Sequence, residues 1–162
     1  MRNFLKDIFR PARKTTQRIA TVSPDINYES APFDEVIVSL SKLDLKLNTS
    51  ASDQQISDAQ HVLNFVFPED FVYFYNRING FSENDVTNEL FGIWPIERII
   101  EEFDSTEQRD FIAFGDYMIN SHSFGYSRSN PGIFKSYDLT QSVANSFEQT
   151  LRLMLIDSSN LY

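Results

Sequence analysis

The apolar residues of this chain change their spacing partway along, and that change restricts what it can fold into. Ser52 and Gln55 have the spacing of a capping box, and Ile56, Ala59, Leu63 and Val66 follow at helical intervals, which predicts a helix from about Asp53 to Asn64. Pro68 fits a first helical position, with Glu69 and Asp70 beside the positive end of the helix dipole. Phe71, Phe74, Tyr75 and Ile78 then make one apolar face, and Asn79-Gly80 supplies a stop. Further on, Ile96, Ile99, Ile100 and Phe103 repeat at helical spacing, with Glu97, Glu101 and Glu102 on the water side. Beyond them the period shortens. Phe111 to Phe114, Tyr117 to Ile119, Ser123 to Tyr126 and Ile133 to Tyr137 are aromatic and β-branched runs, separated by Gly115-Asp116, Asn120-Ser121 and Asn130-Pro131-Gly132. They predict an antiparallel meander.

Two segments frame this pattern. Leu90 to Trp94 reads as a short strand ended by Pro95, and Val143, Phe147, Leu151 and Leu155 predict a closing helix, after which Asp157 to Tyr162 is expected to fray. Asp34 to Leu47 is open between two readings. Val36, Leu40, Leu43 and Leu47 fit a helical face, while Leu43, Leu45 and Leu47 alternate as in a strand; helix followed by extended chain is the expectation.

The 162-residue length suits one domain, expected over residues 33–157, with residues 1–32 as a basic arm and polar linker and residues 158–162 as a frayed tail. With no cysteine there is no disulfide, thiolate metal site or thiol nucleophile. No apolar run approaches the roughly 20 residues of a membrane span and no secretory leader is evident, so a cytoplasmic location is expected. Charge is distributed unevenly. Within residues 1–20 six bases (Arg2, Lys6, Arg10, Arg13, Lys14, Arg18) face Asp7 alone, a balance of +5, which leaves −14 for the rest of a chain of net charge −9. In that arm Phe4, Leu5, Ile8 and Phe9 alternate with Arg2, Lys6 and Arg10, a short amphipathic pattern ended by Pro11. It fits a membrane surface, an organelle-targeting segment or the protein's own core, the last being preferred. The acidic remainder repels nucleic-acid phosphates and attracts basic protein surfaces.

Three stretches carry a resemblance to a known family. These are Phe67-Pro68-Glu69-Asp70-Phe71 with Asn79-Gly80-Phe81, then Phe91-Gly92-Ile93-Trp94-Pro95-Ile96-Glu97, then Ile133-Phe134-Lys135-Ser136-Tyr137 followed by Val143-Ala144-Asn145-Ser146-Phe147. In this order, over roughly residues 50–155, the chain resembles the SUKH superfamily of Smi/Knr-type proteins. It departs from many relatives in the central hairpin, where their Gly-and-Asp-rich stretch is replaced by Phe114-Gly115-Asp116-Tyr117-Met118-Ile119-Asn120-Ser121-His122. The resemblance implies a single α+β domain with a mixed or antiparallel sheet backed by helices. It also implies a non-catalytic protein-binding role: in bacteria, immunity proteins that neutralise polymorphic toxins, often nucleases; in fungi, cell-wall and signalling regulators. Immunity is therefore the first reading of function and a housekeeping interaction or regulatory module of the same fold is the alternative.

Pro68, Asn79 and Gly80 are the best-matched positions and, with Trp94 and Pro95, make a structural signature in which Trp94 is expected in the core. Asp116, Ser121, His122 and Ser123 contain the letters of a hydrolase triad. However, adjacent residues of a strand point to opposite faces and no nucleophile elbow is present, so no catalytic residue is assigned. His61 and His122 lie too far apart in sequence to suggest a metal site, no phosphate-cradling loop occurs, and no cofactor is expected. What remains is charge. Residues 83–110 carry nine acids against Arg98 and Arg109, and Glu97, Glu101, Glu102, Asp104 and Asp110 are the expected contacts for a basic protein partner.

Overall fold

A computed structural model describes residues 27–28, 30–82 and 85–162. The basic arm lies outside them. Helices α1 (Phe33–Lys42), α2 (Asp53–Leu63) and α3 (Glu69–Tyr75) come first, then strand β1 (Phe91–Ile93) and helix α4 (Ile96–Ser105). Strands β2 (Phe111–Tyr117), β3 (His122–Ser127) and β4 (Ile133–Lys135) follow, then helix α5 (Phe147–Leu155) and a 3-10 turn, Ser159–Leu161. The sheet has the order β1-β2-β3-β4 with every pair antiparallel, so the expected meander is present and the fold is α+β.

Local chemistry accounts for the helix boundaries. Ser52 and Gln55 form both halves of a capping box at α2. At its other end Asn64 turns left-handed, with φ of 46°, and Arg128 donates to the carbonyls of Leu63 and Asn64. A cation thus satisfies carbonyls that the helix leaves without partners. On α3, Phe71 stacks between Phe67 and Tyr75 with ring centroids 4.0 Å apart on each side. Phe147 of α5 and Phe114 of β2 pack edge-on against this column. Phe71, Phe74, Tyr75, Phe114 and Phe147 are all fully buried, so the core is an aromatic one in which α3 is the central element.

Five expectations need correction. Helix α3 ends at Tyr75 with Asn76 as its C-cap, so Asn79-Gly80 does not stop it, and Pro68 is its N-cap residue rather than its first helical one. Asn79 instead serves α4: its side-chain oxygen accepts from the Ile96 N–H at 2.9 Å and its amide donates to Glu97. Gly80 adopts φ of +66°, and a Cβ there would stand 2.5 Å from the Trp94 carbonyl carbon, so only glycine fits. Gly115-Asp116 is not a turn. Phe111 to Phe114 and Tyr117 lie in one strand, β2, that runs through Gly115 and Asp116 with the register irregularity at Phe114, since Ala113 pairs with Gly125 and Gly115 with Phe124; Met118 and Ile119 pass into the turn.

The polar linker was expected to reach Pro32, yet Tyr28 is buried and its carbonyl accepts from Arg152 of α5. Nor do the last residues fray. Leu161 is fully buried and its carbonyl lies 3.0 Å from His122 Nε2. A carbonyl only accepts, so that nitrogen carries the proton. Lys135 donates to the Tyr162 carbonyl beside it.

Two outcomes follow. Asn79→Ala leaves the buried Ile96 N–H without an acceptor, which should lower unfolding free energy by about 1–3 kcal/mol in a urea titration. His122 has its pKa held below the ordinary value, first by burial and also by Lys135, against the raising effects of the Leu161 hydrogen bond and Asp116. Folding therefore favours the neutral ring, and the unfolded chain takes up the proton first as pH falls. The contribution is complete above the ordinary histidine pKa of about 6.5 and is lost below it. The thermal midpoint of the wild type should drop more steeply than that of His122→Gln as pH falls from about 7 to about 5, the window of histidine titration.

Candidate functional site

The strand-to-helix junction Trp94-Pro95-Ile96 places β1, α4 and the β2–β3 turn around an open groove of about 500 Å³. Its floor is a connected polar network. The buried Asp116 carboxylate accepts from Trp94 Nε1 at 2.9 Å and from the Asn120 N–H at 2.7 Å. Arg98 lies over the Trp94 ring, 4.3 Å from its centroid, donates to the Asn120 side chain at 2.8 Å, and reaches Asp116 at 3.9 Å and Glu102 at 3.4 Å. Gly92 makes room for the carboxylate, since a Cβ there would stand 2.6 Å from Asp116 Oδ1. Trp94 is thus a core residue, as expected, but one whose indole N–H faces the site.

The rim is acidic on one side and apolar on the other. Glu97, Glu101 and Glu102 project from α4, and Asp85 closes the near end. Glu97 also accepts from Gln55 and Asn79, which ties it to the cap of α4. Opposite, the turn after β2 runs through three consecutive left-handed residues, Met118, Ile119 and Asn120, with φ of 49°, 50° and 68°. Non-glycine residues in this region, a β-branched one above all, cost on the order of 1–3 kcal/mol each and persist where the surroundings impose them. Here Asp116 holds the Asn120 N–H, and the Ser121 N–H closes the turn onto the Tyr117 carbonyl. The result is that Ile119, 65% exposed, and Met118, 50% exposed, stand out beside the groove. Leu90, also left-handed and exposed, joins them through the hydrogen bond from the Met118 N–H.

The structure divides the five acids singled out by charge. Glu97, Glu101 and Glu102 share the groove. Asp104 faces Arg109 at 3.9 Å on the surface, and Asp110 accepts from the hydroxyls of Ser127 and Ser129, so neither lines it. Asp116, Arg98 and Asn120 are the members that sequence reasoning did not assign to the site. The sole tryptophan next to an acid-rich helix was a signal for the first two; pairing across 22 residues was not visible in the spacing. The triad letters do not assemble: the hydrogen-bond partner of the His122 ring is the Leu161 carbonyl, and Asp116 is held by Trp94 and Asn120. No helix among the described residues is long and apolar enough to cross a membrane.

The groove is thus a charged opening at the strand-to-helix junction of a small α+β domain. Residues 50–153, well over half of the chain, match the SMI1 / KNR4 family (SUKH-1), and the chain belongs to that family. The match takes in α2 through most of α5 and includes every residue of the groove. A search of curated proteins finds no match.

Asp116→Ala strips the buried Trp94 Nε1 and the partly buried Asn120 N–H of their acceptor and frees Arg98. Stability should fall by about 1–3 kcal/mol, and emission from the single tryptophan should change in the folded state. Unaltered emission and stability would mean that the network does not hold the groove.

Proposed function

We propose that the protein is a non-catalytic immunity protein that binds a basic toxin domain in the cytoplasm and blocks it. The observation that carries this reading is the groove itself: five carboxylates against one guanidinium, and that guanidinium already engaged by Trp94, Asn120 and Glu102. Family membership supports it, since SUKH proteins include immunity proteins. A nuclease toxin must present cationic groups to hold phosphates, and an acidic groove with apolar lips offers such a surface charge complementarity and desolvated contacts together. Asp104 and Asp110 belong, on this reading, to the outer field of the face and not to its contact.

Growth rescue and pull-down with the product of a neighbouring toxin-like gene test the assignment. The wild-type chain should bind and rescue. Glu101→Lys with Glu102→Lys should slow association on the order of tenfold at low salt and much less at high salt, with a smaller change in dissociation. Binding to host regulators with no rescue would favour the housekeeping module, and charge reversal without effect would remove the groove from the interface.

A further inference from the structure

The groove joins two chemistries within one opening: carboxylates along α4 and the exposed Ile119, beside which the exposed Met118 and Leu90 share a backbone hydrogen bond. One segment of the same chain carries the complement of both. Residues 2–10 alternate Phe4, Leu5, Ile8 and Phe9 with Arg2, Lys6 and Arg10, and residues 1–20 hold +5 of charge against −14 elsewhere. We propose that this basic arm docks into the groove of its own domain, its cations against Glu101 and Glu102 and its apolar side chains on the Met118-Ile119 lip.

Tether length permits it. Arg152 holds the chain at Tyr28 on α5, and 16 residues separate Arg10 from Asn27. At roughly 3.3 Å per residue they span up to about 50 Å, whereas a domain of this size has a radius of gyration of about 14 Å. Every face lies within reach, so charge and apolar complementarity choose the site. Because the contact is intramolecular, effective concentrations of the order of millimolar let a weak match suffice. The inference stands apart from the toxin reading: it requires no partner. If both hold, the arm occupies the surface that a basic partner would use and lowers that partner's apparent affinity by the fraction of time it is docked.

The chain has no cysteine, so Asn3→Cys in the full-length protein accepts a single nitroxide label, and paramagnetic broadening of backbone amides maps where the arm sits. Amides of Gly92, Arg98, Glu101 and Ile119 should broaden several-fold more than those elsewhere on the sheet. The broadening should vanish in Glu101→Lys/Glu102→Lys/Ile119→Ser and at about 1 M salt, where the Debye length is ~3 Å. Arg2→Glu/Lys6→Glu/Arg10→Glu, which alters no residue of the described fold, should abolish it equally and guards against unfolding in the groove variant. Broadening without preference for the groove, or broadening at the groove that survives both sets of reversals, overturns the proposal. So does an arm that leaves the groove amides sharp and gains helix only on phosphatidylserine vesicles, which would assign it to a membrane surface.

Discussion

Five consecutive residues, Ile93 to Glu97, receive the interactions on which the rest of the structure depends. The Tyr75 hydroxyl donates to the Trp94 carbonyl at 2.7 Å from within the aromatic core, and burial pushes that phenol well above its ordinary pKa, so it remains a donor. The Phe81 N–H bonds to the Ile93 carbonyl, Gly80 presses against the Trp94 backbone, and Asn79 caps the Ile96 N–H. The exit of α3 is thereby locked onto the point where β1 becomes α4. Pro95, with φ of −66°, supplies the bend and lacks the N–H that the helix start would leave without a partner.

From that junction the groove follows. The Trp94 backbone is tied to the core while its indole N–H leaves towards Asp116, and Asp116 in turn fixes Asn120 and the left-handed turn. Arg98, one turn into α4, closes the network over the indole ring. Exposed apolar side chains, Met118 and Ile119, are thus carried on a turn that a buried carboxylate holds. A satisfied polar network thus imposes the backbone strain of this turn.

Much of the fold was legible in the residues because those elements are specified locally. The capping box of α2, the apolar face of α4 and the Pro95 boundary each depend on neighbours within one or two helical turns. The failures share the opposite property. Gly115-Asp116 has the composition of a turn, but its backbone is claimed by pairing with β1 and β3, and Gly115 is small because the Gly92 carbonyl approaches it. Asn79-Gly80 has the composition of a helix stop, but its side-chain partners lie 17 and 18 residues on. Leu161 in a polar tail gives no periodic signal, and only the sheet face beneath it explains its burial. Of the site, the acids of α4 were legible as charge. Their arrangement was not, because it is set by contacts between elements that no local pattern encodes.

Charge summed along the sequence also overstates what a partner meets. Residues 83–110 total −7, yet Asp104 faces Arg109 and Asp110 is committed to two serines. At physiological ionic strength the Debye length is about 8 Å, so carboxylates beyond the groove contribute little to its potential unless they lie near its mouth. Carboxylates on the groove wall act differently: partial exclusion of water lowers the local dielectric and lengthens their reach. The field at the groove is therefore set by the small group of carboxylates on α4, less what Arg98 offsets through its pair with Glu102. Arg98 lies 3.4 Å from Glu102, so it already offsets part of the charge on that edge. The stack on Trp94 and the bond to Asn120 fix it in that position, so one network sets both the turn at Ile119 and the charge that remains on the α4 edge.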